Sequence, residues 1–311
     1  MRILMWHVHG SYSTAFVHGA HEVLVPVLPG RGPDGRGRAQ TWEWPASAVE
    51  VTPAEAADAE VDVVVLQRPA ELHGLGQEWL GGRRPGVDVP AVYLEHNLPQ
   101  GRIDDMRHPC ADVPGIPVVH VSHTGALLWD CGDAPTRVVE HGVLDPGHRY
   151  QGDLARTAVV VNDPVRRGRV TGTDLLPRLR EAGPLDLYGM RTEALGGTDL
   201  PQAGLHDELA LRRAYAHPVR WTSLGLALLE AMHLGMPVAV LGIGEAAGVV
   251  PAEAGVVSSD VDVLVAGLRR LLADPDAARA AGEAARDAVV ERFGLPRFLA
   301  AWDDVLMDVA S

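Results

Sequence analysis

Val219-Arg220-Trp221-Thr222-Ser223-Leu224-Gly225-Leu226-Ala227-Leu228-Leu229-Glu230-Ala231-Met232 runs on through His233-Leu234-Gly235-Met236 into Pro237-Val238-Ala239-Val240-Leu241. The pattern predicts a short strand at Val219–Trp221, a helix over Ser223–Leu234 and a second strand at Pro237–Leu241. Thr222 and Ser223 stand where a helix cap is expected, and Gly225 falls in the first turn. The unpaired N–H groups of such a turn, with the positive end of the helix dipole, make a pocket for an anion. Glycine lets a diphosphate come close to the backbone. Glu230 sits on an otherwise apolar helix between Leu229 and Ala231. A carboxylate there needs a partner, which the hydroxyls of a ligand or a wet helix edge would each supply.

Outward from this stretch the second half alternates strands and helices. Strand Ala158–Asn162 leads to a helix over Gly172–Ala182 and a strand at Leu185–Tyr188. A helix over His206–Ala216 precedes the quoted segment, and two more follow it near Val261–Ala273 and Asp276–Phe293. Leu295, Phe298, Leu299, Trp302, Val305 and Leu306 then place one apolar stripe on a closing helix. In the first half, Arg2–Trp6, His21–Leu28, Val61–Leu66, Val89–Glu95, Pro117–Val121 and Arg137–Val139 read as strands. Several are nearly continuous Val, Ile and Leu, the pattern of parallel strands buried on both faces. Gly30–Thr41 reads as a surface loop. The expected fold is α/β: two Rossmann-like domains facing a cleft, spanning 1–150 and 151–292. A closing helix over 293–311 is expected to pack back toward the first domain.

The chain has 311 residues, 47% hydrophobic and 22% charged, which is the balance of a globular protein. A net charge of −14 argues against nucleic acid and anionic membranes as partners. All 27 basic residues are Arg. Without lysine there is no Schiff base, no pyridoxal-phosphate lysine and no P-loop lysine, so an anion clamp must come from Arg, His or helix ends. Cys110 and Cys131 form neither a disulfide framework nor a metal-site spacing. The apolar start Ile3-Leu4-Met5-Trp6 is too short for a signal peptide, and no apolar run approaches the ~18 residues of a membrane span. The expected location is cytoplasmic.

Leu228-Leu229-Glu230-Ala231-Met232-His233-Leu234-Gly235-Met236-Pro237-Val238 resembles the signature of the retaining GT-B glycosyltransferases of the family 4 type (glycosyltransferases group 1). That resemblance implies donor-binding roles for Thr222, Ser223, Leu224, Gly225 and Glu230. The backbone at Ser223–Gly225 would hold a diphosphate, and Glu230 the nucleotide ribose. The first signature glutamate falls on Thr222, a departure; threonine still hydrogen-bonds a sugar hydroxyl, at roughly half the strength of a charged acceptor. The Arg-rich run Val161–Leu176 resembles the family's cationic loop, with Arg166 near its Arg position and Thr171 at its Lys position. Arg169 or Arg167 would then supply the second charge, guanidinium being a bidentate phosphate ligand.

In the first half, His96 follows a strand and, by the same resemblance, would face the donor sugar, with Glu95 orienting it or facing solvent. His9, Gly10 and Ser11 form the loop after the first strand, where Gly10 allows close approach and Ser11 can cap a helix. His7 and His9 share one face of extended chain, but no third ligand supports a metal site. His120 and His123 read as packing or surface residues, and His141-Gly142-Val143 as a structural turn. Gly242-Ile243-Gly244-Glu245-Ala246-Ala247-Gly248 mimics a dinucleotide fingerprint, yet Pro251 would cut its helix short. The implied function is retaining transfer of a hexose from a nucleoside diphosphate sugar to a hydroxyl acceptor, with neither metal nor cofactor. The alternatives are a nucleotide-sugar epimerase of the same fold and a non-catalytic nucleotide-sugar-binding partner subunit. A phosphorylase of this fold is excluded, because its cofactor needs a lysine.

Overall fold

The computed structural model describes residues 1–102 and 104–311. The chain divides into two compact units, Met1–Gly142 with Leu295–Ser311, and Val143–Gly294. The second unit begins before residue 150 because Val143 and Tyr150 belong to its core. The amides of Arg149 and Tyr150 also bond the carbonyl of Leu234, at 3.1 and 3.0 Å.

The first unit is built on seven strands: β1 (Arg2–Met5), β2 (Glu22–Pro26), β3 (Ala48–Val51), β4 (Val63–Leu66), β5 (Ala91–Glu95), β6 (Val118–His120) and β7 (Thr136–Val138). They pair in parallel in the order β3-β2-β1-β4-β5-β6-β7. Val63, Val64, Val65 and Leu66 are wholly buried, as a central strand covered on both faces requires. β3 lies at the sheet edge with two of its four residues outside the core, and that weak pattern gave no strand signal. The closing helix, Leu295–Ala310, buries Phe298, Trp302, Val305 and Leu306 in this unit, and Trp302 Nε1 donates to Tyr12 Oη at 2.8 Å.

The second unit has five strands: β8 (Leu154–Val160), β9 (Leu185–Tyr188), β10 (Arg212–His217), β11 (Val238–Leu241) and β12 (Gly255–Ser258). All pair in parallel, in the order β12-β11-β10-β8-β9. Four expected elements of this unit differ in the structure. The helix expected over His206–Ala216 is Gln202–Leu211, and the strand expected at Val219–Trp221 is β10 instead. Leu, Arg and Ala favour helix, but pairing on both sides of a central strand overrides so weak a preference. The helix expected from Ser223 starts at Leu226 and runs to Leu234; its cap is the backbone of Gly225, not a side chain of Thr222 or Ser223. The helix expected over Gly172–Ala182 breaks into 3-10 turns flanking Leu176–Leu179, with Pro177 confined to the first turn.

Strand order places a switch point in each sheet. In the second unit β8 leads away toward β9, whereas β10 leads the other way toward β11. The carboxyl ends of β8 and β10 therefore open a crevice, where ligands of doubly wound sheets bind. In the first unit β1 and β4 do the same.

Candidate functional site

The loop after β8 opens at Asp163, which has the left-handed φ of 55° that Asp tolerates better than most residues. Asp163 accepts from Arg166 and from Arg191 Nη1. Arg169 pairs with Asp174 at 2.9 Å, and Arg220 also grips Asp174. Both candidate cations, Arg166 and Arg169, thus hold carboxylates. Arg167 holds none among the described residues, is partly buried, and burial and the charge of Arg166 push its pKa down. An anion arriving in this loop would meet Arg167 as the cation that holds no carboxylate by hydrogen bond.

This loop lies against the segment that leads from β10 into the helix Leu226–Leu234. Arg220 N donates to Val170 O at 2.9 Å, and the Arg220 guanidinium to Arg169 O at 2.8 Å. Gly172 allows the approach: its φ is 72°, and a Cβ there would stand 2.1 Å from Pro218 O. At the helix mouth Ser223 and Leu224 are buried, while Thr222 and Gly225, Leu226 and Ala227 keep partial exposure. Four residues along, Glu230 is buried and accepts from Gln202 Nε2 at 2.8 Å, with His206 Nε2 at 3.7 Å. Its carboxylate therefore has protein partners, Gln202 above all, at the edge where a ribose was expected.

At the switch point of the first unit, His9 caps the helix Gly10–Val17, so Gly10 is that helix's first residue and Ser11 lies inside it rather than capping it. The rings of His9 and His96 are 4.1 Å apart, and Tyr12 meets His96 edge-on at 4.6 Å. Burial, then the charges of His9 and His141, hold the pKa of His96 well below the usual value, so it is neutral at pH 7. Gln67 Nε2 donates to Trp6 O at 2.7 Å, which turns Gln67 Oε1 to His96 Nε2 at 2.9 Å. His96 accordingly carries its proton on Nε2 and keeps a lone pair on Nδ1. Buried Glu71 fixes the Gln67 backbone in turn, accepting from its main-chain N–H at 2.6 Å. Glu95 does not orient His96: it faces His108 at 3.3 Å. His7 and His9 part company, His7 Nδ1 donating to Gly37 O at 3.0 Å. Both cysteines are buried, and burial pushes their thiols up to about 12 for Cys110 and about 11 for Cys131.

With these sites in view, the comparisons are specific. Residues 198–288, which hold Gln202, Gly225 and Glu230, match the family model for glycosyl transferases group 1. That stretch carries the sequence pattern of a group 1 glycosyltransferase. No curated protein matches the sequence. Among solved structures, sucrose-phosphate synthase of Thermosynechococcus elongatus is 14% identical with a TM-score of 0.72, over 99% of this chain and 98% of that one. HepE of Anabaena, solved with UDP-glucose, is 14% identical with a TM-score of 0.71, over 99% and 100%. A glycosyltransferase of Rickettsia africae is 12% identical with a TM-score of 0.69, over 99% and 98%. The fold is that of the GT-B glycosyltransferases.

Two features of this glycosyltransferase were not anticipated. Gln67 follows the run Val63–Leu66 directly, and a lone amide at a strand's carboxyl end is the one sequence signal for it. His217 ends β10, and was hidden by reading that strand as helix. The decoy at Gly242–Gly248 is a turn followed by the four-residue helix Ala246–Val249, which stops before Pro251. Among the described residues no helix is long and apolar enough to cross a membrane.

Proposed function

We propose that this glycosyltransferase moves a hexose from a nucleoside diphosphate sugar to a hydroxyl acceptor with retention of anomeric configuration and without a metal. The observation that carries this reading is the placement of the cationic loop Asp163–Arg169 beside the mouth of the helix Leu226–Leu234 at one switch point. The diphosphate rests on the amides at Gly225–Ala227, with Ser223 and Leu224 behind them. Arg167 is the first cation it meets, and Arg166 and Arg169 exchange a carboxylate for a phosphate oxygen as it binds. Each charged hydrogen bond contributes about 1.5–3 kcal/mol, more where it meets charge that develops on departure. These groups supply the positive charge that a metal would otherwise supply.

Glu230, held by Gln202, takes the ribose, and Thr222 a sugar hydroxyl. In the first unit, His96 offers its Nδ1 lone pair to a hydroxyl, beside His9, Gly10 and Ser11. The acceptor hydroxyl approaches on the face the diphosphate leaves, and a phosphate oxygen takes its proton, so no carboxylate nucleophile is required. HepE was solved with UDP-glucose, which makes UDP sugars the first donors to try.

A thermal-shift panel of UDP, GDP, ADP and dTDP tests the donor site, since a ligand of the native state raises the melting temperature by mass action. The expected result is a rise with at least one of them that is lost in Glu230→Ala. No rise with any would refute the assignment. The anomeric configuration of the product, read by NMR, and an unchanged rate in EDTA test the rest. The reading as a non-catalytic binder rests on Thr222, and measurable donor turnover overturns it.

A further inference from the structure

His217 closes β10, its backbone paired opposite Val240, at the carboxyl end of the central strand of the second unit. Its side chain is 3% exposed, and its ring stacks beside Tyr215 with centroids 6.3 Å apart. The ring lies directly against the residue that caps the helix Leu226–Leu234. A Cβ on Gly225 would stand 2.4 Å from His217 Cε1 and 2.9 Å from Nε2. Among the described residues neither Nδ1 nor Nε2 has a hydrogen-bond partner.

A neutral imidazole always carries one N–H, and a buried donor without an acceptor is unfavourable. Packing alone would be served better by Phe or Leu. Other buried polar atoms of this chain, such as Thr157 Oγ1 and His120 Nδ1, also lack a partner, but the His217 ring is seated at the mouth of a helix at a strand's carboxyl end, where an acceptor from outside the protein can meet it. The helix mouth beside it presents N–H groups that the helix itself leaves unpaired. An acceptor drawn to those amides carries negative charge and lone pairs.

We propose that the His217 imidazole donates a hydrogen bond to a diphosphate oxygen of the nucleotide sugar, with Gly225 lacking a side chain so that the ring and the phosphate share the N-cap turn. The proposal rests on the donor site described above and adds to it a residue that contacts the leaving group. Burial is the only cause that displaces the pKa of His217, down to about 4, so the group acts as a neutral donor whose strength does not change between pH 6 and 8.

The test compares UDP and uridine (or the preferred diphosphate and its nucleoside) by calorimetry on the wild type, His217→Phe and His217→Gln. Loss of one hydrogen bond to a charged acceptor weakens diphosphate binding roughly tenfold to hundredfold. The Phe variant should show that loss for UDP and none for uridine, and the Gln variant, which keeps a donor, should recover part of it. A UDP affinity within twofold of wild type in the Phe variant overturns the proposal, as does an equal loss for UDP and uridine. If the Phe variant does not fold, NMR of histidine ring nitrogens in the wild type decides: the His217 signal, assigned with the Gln variant, must move with UDP and stay with uridine. If the wild type binds none of UDP, GDP, ADP and dTDP, the donor site itself fails and the proposal falls with it.

Discussion

Three arginines within four residues divide their labour by what each already holds. Arg166 is engaged with Asp163 and Arg169 with Asp174, and only Arg167 stands without a carboxylate among the described residues. A phosphate would have to displace a carboxylate to engage the first two, and would meet Arg167 without that exchange. Arg167→Ala should therefore weaken nucleoside diphosphate binding by about tenfold to hundredfold, from the value of one charged hydrogen bond. Arg166→Ala and Arg169→Ala should each weaken it by less. Calorimetry with the three variants ranks them, and a smaller effect at 167 than at 166 and 169 would reverse the assignment. His96 obeys the same logic. Its tautomer is set by Gln67, whose side-chain amide is pinned by Trp6 O and whose backbone N–H is held by Glu71, so a residue far from any motif decides which imidazole nitrogen carries the proton.

Among the elements, the loop after β8 and the segment leading into the helix Leu226–Leu234 are brought together through Gly172. Its φ of 72° and the 2.1 Å separation between its missing Cβ and Pro218 O leave no room for a side chain. Gly172→Ala should cost at least about 1 kcal/mol of stability, from the left-handed backbone alone. It should also move the loop away from Pro218, weakening diphosphate binding along with the fold. Chemical denaturation and calorimetry on this variant check the two effects, and an unaltered protein would show that the contact is dispensable. The helix itself has no side-chain cap, which leaves its first amides open to an anion.

At the scale of the whole molecule, histidine burial sets the response to acid. His217 has its pKa pushed down to about 4 and His96 has its pKa held well below the usual value, both mainly by burial. The unfolded chain takes up these protons as the pH falls through about 6.5, and the folded chain does not until far lower. Stability is therefore complete above pH 6.5 and declines as the pH drops from there toward 4. His217 alone removes about 2 kcal/mol at pH 5. The second unit should melt at least about 4 °C lower at pH 5 than at pH 7, by calorimetry. Equal melting temperatures of this unit at the two pH values would show that His217 is not buried as described. The chain leaves the first unit at Gly142 and returns at Leu295, so the closing helix is lost to that unit by any truncation near 294.

Much of the architecture is local information. The runs Val63–Leu66 and Val238–Leu241, the stripe Phe298–Trp302–Val305 and the motif Leu228–Val238 each state strand, helix or family within a dozen residues, because periodicity and burial leave their mark along the chain. The missing lysines likewise settle from composition alone that any phosphate chemistry falls to Arg, His or helix ends. What only the tertiary structure decides is competition between distant residues. β10 is a strand because β8 and β11 flank it, and Glu230 is held because Gln202 reaches it. Arg167 makes no ion pair because Asp163 and Asp174 hold other arginines, and His217 is unpaired because the fold seats it against a glycine. Such outcomes depend on which partner wins at close range, and no window of sequence contains both contestants.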